Sequence, residues 1–270
     1  MLLFNQILRA QTCFDFMNKL HITFFIITIT LIGYLFFIEN QKTIVFQAPP
    51  FEEIPTGGFS DDSESQTLWQ DEESGFYFIT YNLSGIEDGE AENDINRFIS
   101  DKVFDFKSNG NFENLTQEEI EILGFNRGAK YSLAFSYELK ESHGIKSYIV
   151  RSDSYLGGAH GNSEIMSFNY DKNTGNRLSL NNIFKVLPQN YLPILSSFGE
   201  EYFNTELPES FFAEGVAPLS TNWSVWYATD ESLVFIFQPY QVAPYVYGVG
   251  EMSVPLEHLS LFLDQKYFNN

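Results

Sequence analysis

Seventeen consecutive residues, Ile22 to Ile38, carry no charged side chain. Burying such a run away from water is strongly favourable, and about 17 residues is the shortest helix that spans a bilayer core. The run is apolar on every side, with no polar stripe to turn toward solvent. Phe36-Phe37-Ile38-Glu39 follows it without a small-x-small cleavage site, and the single cysteine, Cys13, lies ahead of it. An uncleaved anchor over residues 21–39 is therefore expected rather than a signal peptide. Arg9, Lys19 and the N-terminal amine precede the run against Asp15, while Glu39 and Lys42 flank its far side. Positive residues tend to remain cytoplasmic, so residues 1–20 are read as a short cytoplasmic N-terminus, with the bulk of a single-pass cell-membrane protein outside. One cysteine makes no internal disulfide, so the exterior part relies on its core.

The chain has 15 Lys+Arg against 36 Asp+Glu, a formal net charge of −21. Two charges of each sign fall in residues 1–40, so the whole excess belongs to the exterior part. This balance argues against nucleic acid, whose phosphates need a cationic surface. It would attract cationic proteins, and it also serves solubility with no partner at all. Residues 40–74 read as a linker. Pro49-Pro50, Pro55, Gly57-Gly58 and eight acids lie between Gln47 and Ser74 with no Lys or Arg, and repulsion with proline stiffness should extend such a segment.

Order is expected from about Gly75. Phe76–Tyr81 reads as a strand, and Ile95, Phe98, Ile99, Val103 and Phe106 recur at helical spacing over Glu92–Lys107. Thr116-x-x-Glu119 is a capping box opening a short helix that Gly124 ends. Tyr131, Leu133, Phe135, Tyr137 and Leu139 alternate as in a half-buried strand, and Gly144 turns the chain into another strand over Ile145–Asp153. Further strands are read at Ile165–Tyr170, Trp223–Ala228, Leu233–Gln238 and Glu251–Val254. Helices are read at Ile183–Val186, around Leu192–Phe203, and at Leu256–Leu263. The fold class is α+β, with antiparallel sheet(s) and packed helices after one transmembrane helix. Residues 75–150 form one small module and 151–270 a second.

Two motifs stand out. Gly157-Gly158-Ala159-His160-Gly161 places a histidine at a tight turn that paired glycines permit. Three readings stay open for it: a structural turn with a hydrogen-bonded imidazole, a ligand surface, or metal and catalytic chemistry. No Gly-x-Ser-x-Gly accompanies it, and the histidines show no ligand spacing. Pro239-Tyr240-Gln241-Val242-Ala243-Pro244-Tyr245, followed by Gly248, cannot lie inside a sheet because its prolines lack amide donors. It is an ordered loop, whose tyrosines either present a binding surface or pin the loop to the core. Asp171-x-Asn173-x-Gly175 departs from a calcium loop, since position twelve is Asn182, and reads as a hairpin turn. Glu118-Glu119 and Glu200-Glu201 read as solvated helix faces.

The Gly157–Gly161 turn, the Asp-x-x-Thr-Gly turn before Leu178-Ser179-Leu180 and the Pro239–Gly248 loop together resemble the extracellular module of RsiV-type lysozyme-sensing anti-sigma factors. Residues 75–150 resemble the small N-terminal module of PdaC-type peptidoglycan deacetylases. The resemblance implies capture of a cationic protein such as lysozyme, or of cell-wall glycan, at the envelope. Residues 1–20 are too short for a sigma-binding domain, and a deacetylase's Asp and His metal ligands have no counterpart here.

The expected function is thus a membrane-anchored extracytoplasmic binding or sensor module. It is expected not to be an enzyme and to need no cofactor or metal. Its ligand surface would comprise Gly157, Gly158, His160, Gly161, Pro239, Tyr240, Pro244, Tyr245 and Gly248. The alternatives are an envelope enzyme centred on His160, or a structural partner of another membrane protein.

Overall fold

The computed structural model describes residues 69–86 and 89–268. The apolar run at 22–38, its orientation and most of the acidic segment lie outside the described residues. Among the described residues no helix is long and apolar enough to cross a membrane. They all belong to one unit, Gln47–Asn270.

The larger sheet has six strands in sequence order: β1 (Glu72–Glu73), β2 (Tyr77–Asn82), β3 (Tyr131–Ser142), β4 (Ile145–Tyr155), β5 (Asn162–Asp171) and β6 (Arg177–Leu178). β2 and β3 run parallel, with Ile79 opposite Leu133, and the other neighbours are antiparallel. The expected purely antiparallel arrangement is corrected to a mixed sheet. Its cause is the crossover helix α1 (Gly89–Gly110), since parallel strands need a long connection between them. A second sheet, β7 (Trp226–Ala228), β8 (Ser232–Phe237) and β9 (Gly250–Pro255), is wholly antiparallel.

Alternation of side chains divides the large sheet into two faces. Leu133 and Phe135 of β3, Tyr148 and Val150 of β4, and Phe168 and Tyr170 of β5 pack with Ile95, Phe98, Ile99 and Phe106 of α1. Each such side chain contributes about 1.5–3 kcal/mol on burial. The opposite face carries Ile149 and Ile165, which meet Val225, Tyr227, Val234 and Ile236 of the small sheet. The two sheets therefore face one another. A polar seam runs between them: Asn169 Nδ2 donates to the Trp226 carbonyl at 3.0 Å, and the Trp226 amide donates to Ser167 Oγ at 3.0 Å.

Local signals explain the turns. His143 and Gly144 alone connect β3 to β4, at φ 52 and 71, the paired positive values of a two-residue hairpin. The Thr116–Glu119 capping box is present, opening α2 (Gln117–Ile122). The helix expected at Ile183–Val186 is instead α3 (Leu180–Ile183). Ser179 precedes it, and Asn182 Oδ1 accepts from the Ser179 amide at 2.7 Å; this Ser-x-x-Asn box is what the sequence reading overlooked. α4 (Pro188–Glu206) is followed by β7 to β9, and the C-terminal helix expected over Leu256–Leu263 divides into α5 (Leu256–Leu259) and α6 (Gln265–Phe268).

The junction drawn at 150/151 lies within β4. Order begins ahead of Gly75, because Glu72 and Glu73 pair with β2 and form ion pairs with Lys107 (2.7 Å) and with Lys130. The Asp171–Gly175 turn is a hairpin. The Asp171 carboxylate accepts from the amides of Asn173 and Thr174, from Lys266 Nζ at 2.6 Å and from Tyr267 Oη at 3.0 Å. Those bonds, the lysine first, hold its carboxyl well below the usual range.

Candidate functional site

The turn after β4 and the loop after β8 meet. Gly157 and Gly158 adopt φ 84 and 97, angles that β-carbons disfavour. A side chain on Gly157 would also approach the Tyr131 hydroxyl, and one on Gly161 the Ser154 carbonyl at 2.9 Å. The turn thus passes close to its own strands and brings His160 out to solvent. The His160 imidazole lies on the Tyr245 ring, with centroids 3.9 Å apart and planes at 20°. Tyr245 Oη donates to the Gly161 carbonyl at 2.9 Å. Tyr240 stands beside Tyr245, at 5.4 Å between centroids.

Tyr240 is 56% exposed and has φ 68. A bulky residue in the left-handed region is rare and costs about 1 kcal/mol or more, and such strain clusters at functional sites. A core pin would be buried, and Tyr240 is not. Tyr245, half-buried, has a divided role, since its hydroxyl ties the two loops while its ring supports His160. His160 Nδ1 lies 2.8 Å from the Gly161 carbonyl, which only accepts, so Nδ1 carries the proton of that bond. Pro239, Pro244 and Gly248 shape the loop: Pro244 precedes a short 3-10 turn, Tyr245–Tyr247, and Gly248 ends it at φ 71.

Two glutamines that sequence reasoning passed over hold this loop. Gln238 bridges the sheets as a strand residue would, its Nε2 donating to the Ile165 carbonyl and its Oε1 accepting from the Ile165 amide at 2.9 Å. Gln241 accepts from the Gln238 amide and donates to the carbonyls of Gly215 and Asn222, each at 3.0 Å. Gly215 has no room for a β-carbon, which would fall 1.9 Å from the Gln241 carbonyl. The signal lay in the Gln-x-x-Gln spacing flanking Pro239-Tyr240. Beside the loop runs the 209–214 segment, joined through Phe212 N to the Val242 carbonyl at 2.9 Å and bearing exposed Glu209 and Glu214.

Among the described residues, no group of three or more His, Cys, Asp or Glu side chains is arranged to hold a metal ion. His143 lies elsewhere, against Phe268, and His258 stacks on Phe198.

Residues 73–163 match the family described as Deacetylase PdaC, and residues 181–257 match the family described as protein of unknown function DUF3298. The peptidoglycan-N-acetylmuramic acid deacetylase PdaC of Bacillus subtilis strain 168 is 30% identical over 119 residues, which cover 43% of this chain. The match spans 25% of that protein's own length. Crystal structures of DUF3298 family proteins are also similar. The one from Pseudomonas aeruginosa PAO1 has 18% identity and a TM-score of 0.43, covering 57% of this chain and 72% of that one. The one from Bacteroides fragilis NCTC 9343 has 16% identity and a TM-score of 0.45, covering 63% and 68%.

The PdaC-type resemblance of the N-terminal half is thus supported, and its match runs through β4 to residue 163. The C-terminal half carries a DUF3298 match over residues 181–257. The expectation that the chain is not an enzyme is withdrawn, because residues 73–163 match a deacetylase family and the curated relative is a deacetylase.

Proposed function

We propose that this chain is an extracytoplasmic, cell-wall-directed protein whose His160–Tyr245–Tyr240 ledge engages peptidoglycan glycan. The observation that carries the reading is the exposed aromatic ledge itself, with His160 stacked on Tyr245 and Tyr240 held in a strained conformation beside them. Sugar rings present C–H faces that lie on aromatic rings and hydroxyls that bond to phenols and imidazoles, so a Tyr/His ledge suits them. The named activity of the Bacillus subtilis relative supports peptidoglycan as the polymer. In this proposal residues 21–39 anchor the protein and the acidic segment between residue 40 and β1 holds the ledge away from the bilayer. Cosedimentation of the full-length chain with purified peptidoglycan tests it, and failure to sediment would contradict it.

An enzymatic reading is favoured by one further observation. With Nδ1 donating to Gly161, the neutral His160 ring keeps its lone pair on Nε2, the form a general base takes. Release of acetate from peptidoglycan that disappears in His160→Ala supports this reading, and equal release by the variant contradicts it. A third reading keeps the RsiV-type resemblance and places a cationic protein such as lysozyme on the same ledge. The formal charge of −21 and the exposed Glu209 and Glu214 beside the loop favour it.

A further inference from the structure

A cavity of about 140 Å³ opens between the two sheets. Its apolar wall is Ile149 of β4, Ile165 of β5, Ile236 of β8 and Val249. Its polar groups are Glu251 of β9 and Tyr227 of β7, with Glu138, Lys140 and Arg151 also lining it. Alternation puts Met252 and Val254 on the far face of β9, where both are buried, and so turns Glu251 toward the large sheet. There it is paired in register with Ile236, in a layer whose other inward members are Val225, Tyr227 and Val234. A carboxyl in an apolar layer needs a reason, because burial disfavours its charge.

Burial pushes the Glu251 carboxyl up, with Glu138 adding to the effect and Tyr227 and Lys140 opposing it. Lys140 is itself engaged, with its Nζ 2.7 Å from Glu138 and 5.7 Å above the Tyr227 ring. Tyr227 Oη stands 3.4 Å from Glu251 Oε1, a long contact that leaves both groups polar capacity for a third. The space is close to that of an engineered cavity that takes benzene, roughly 150 Å³, so it accepts a small substituent and not a whole saccharide. One wall is isoleucine and the other offers hydroxyl and carboxyl groups. Val249, which lines the cavity, directly follows Gly248, so the cavity begins where the aromatic loop ends.

We propose that this cavity is a subsite for the acetamido group of an N-acetylated amino sugar. The methyl group sits against Ile149, Ile165 and Ile236, the carbonyl oxygen accepts a hydrogen bond from the Tyr227 hydroxyl, and the acetamido N–H donates to the Glu251 carboxyl. The proposal rests on the glycan reading and names the substituent that the glycan must carry. It also assigns roles to Tyr227 and Glu251, which lie outside both sequence motifs.

Titration calorimetry of the full-length chain with the methyl glycosides of N-acetylglucosamine, glucosamine and glucose tests it. The N-acetylated glycoside should bind at least about tenfold more tightly than the other two, as expected when buried hydrogen-bonding groups are left unpaired. Glu251→Ala and Tyr227→Phe should remove that preference, while Glu251→Gln, which keeps a side-chain oxygen that accepts from the acetamido N–H, should retain most of it. Val249→Trp, at a half-buried position, should fill the cavity and abolish binding if Glu251→Ala does not fold. Equal binding of all three glycosides, no binding of any, or N-acetylglucosaminide binding untouched by Val249→Trp would overturn the subsite. Cosedimentation with peptidoglycan reads the ledge separately: retained sedimentation without monosaccharide preference removes only the cavity, and the reverse pattern removes only the ledge.

Discussion

His160 and Tyr245 form one stacked pair, 3.9 Å between ring centroids, although they belong to turns that follow strands of different sheets. The Tyr245 hydroxyl reaches past the imidazole to the Gly161 carbonyl, so this one side chain closes the gap between the turns. Tyr245→Phe keeps the ring and loses that bond, which should lower stability by about 1 kcal/mol. Tyr245→Ala should in addition free residues 157–161. Hydrogen exchange checks both: protection in that turn should fall more for the alanine variant, and equal exchange in the two would mean that the stack contributes nothing.

Gln238 adds a further link between the sheets, beside the Asn169 and Ser167 bonds to Trp226. Its side chain completes a pair of hydrogen bonds with the Ile165 backbone that no strand supplies. Gln238→Ala leaves a part-buried amide and carbonyl unpaired, and should lower the free energy of unfolding by about 1–3 kcal/mol. Urea denaturation measures this, and a variant within about 0.5 kcal/mol of wild type, the usual range of surface changes, would show that water replaces the glutamine.

Much of this arrangement is legible in the sequence, and the gaps have physical causes. The alternation of Leu133, Phe135 and their neighbours, and the 3.6-residue recurrence of Ile95, Phe98 and Ile99, report burial directly, so those elements are readable. Parallel pairing of β2 with β3 is not, because strand–helix–strand order fits either direction. The hairpin at His143-Gly144 occupies one edge of β3 and leaves the other for β2. The meeting of the Gly157 and Pro239 loops follows from the facing of the two sheets, which a single sequence does not state. Glu251 looks like an ordinary polar residue of an edge strand until the opposing sheet supplies Ile149 and Ile165.

Asp171 sets an acid limit on stability. Its carboxyl is buried beneath Lys266 and Tyr267 and held well below its ordinary value, chiefly by the lysine. A depressed folded value means that its stabilisation is fully present above the unfolded value, roughly 3.9, and is lost as pH falls below it. Asp171→Asn should remove that part of the acid dependence and destabilise the protein at neutral pH by about 1–3 kcal/mol. Thermal melts between pH 3 and 7 check it, and parallel curves for the two proteins would contradict it.

Salt separates charge from contact in any association with a basic protein. The chain's formal net charge of −21 favours encounter with cations, and physiological salt screens exposed charges beyond about 8 Å. Association with lysozyme, if it occurs at the ledge, should weaken markedly from low to high salt. Salt-independent binding would place the attraction in apolar contacts instead.

Tyr240 provides the most direct measurement of the central claim. It is an exposed aromatic held at a positive φ, a conformation glycine accepts freely, so Tyr240→Gly should leave stability within about 0.5 kcal/mol or raise it. If the ledge engages peptidoglycan, the same change should weaken binding of the full-length chain by about 1–2 kcal/mol, the loss typical of an aromatic anchor. Sedimentation isotherms and melting curves taken together decide the matter. The account predicts reduced peptidoglycan affinity with an unchanged or higher melting temperature; a lower melting temperature with undiminished affinity would contradict it.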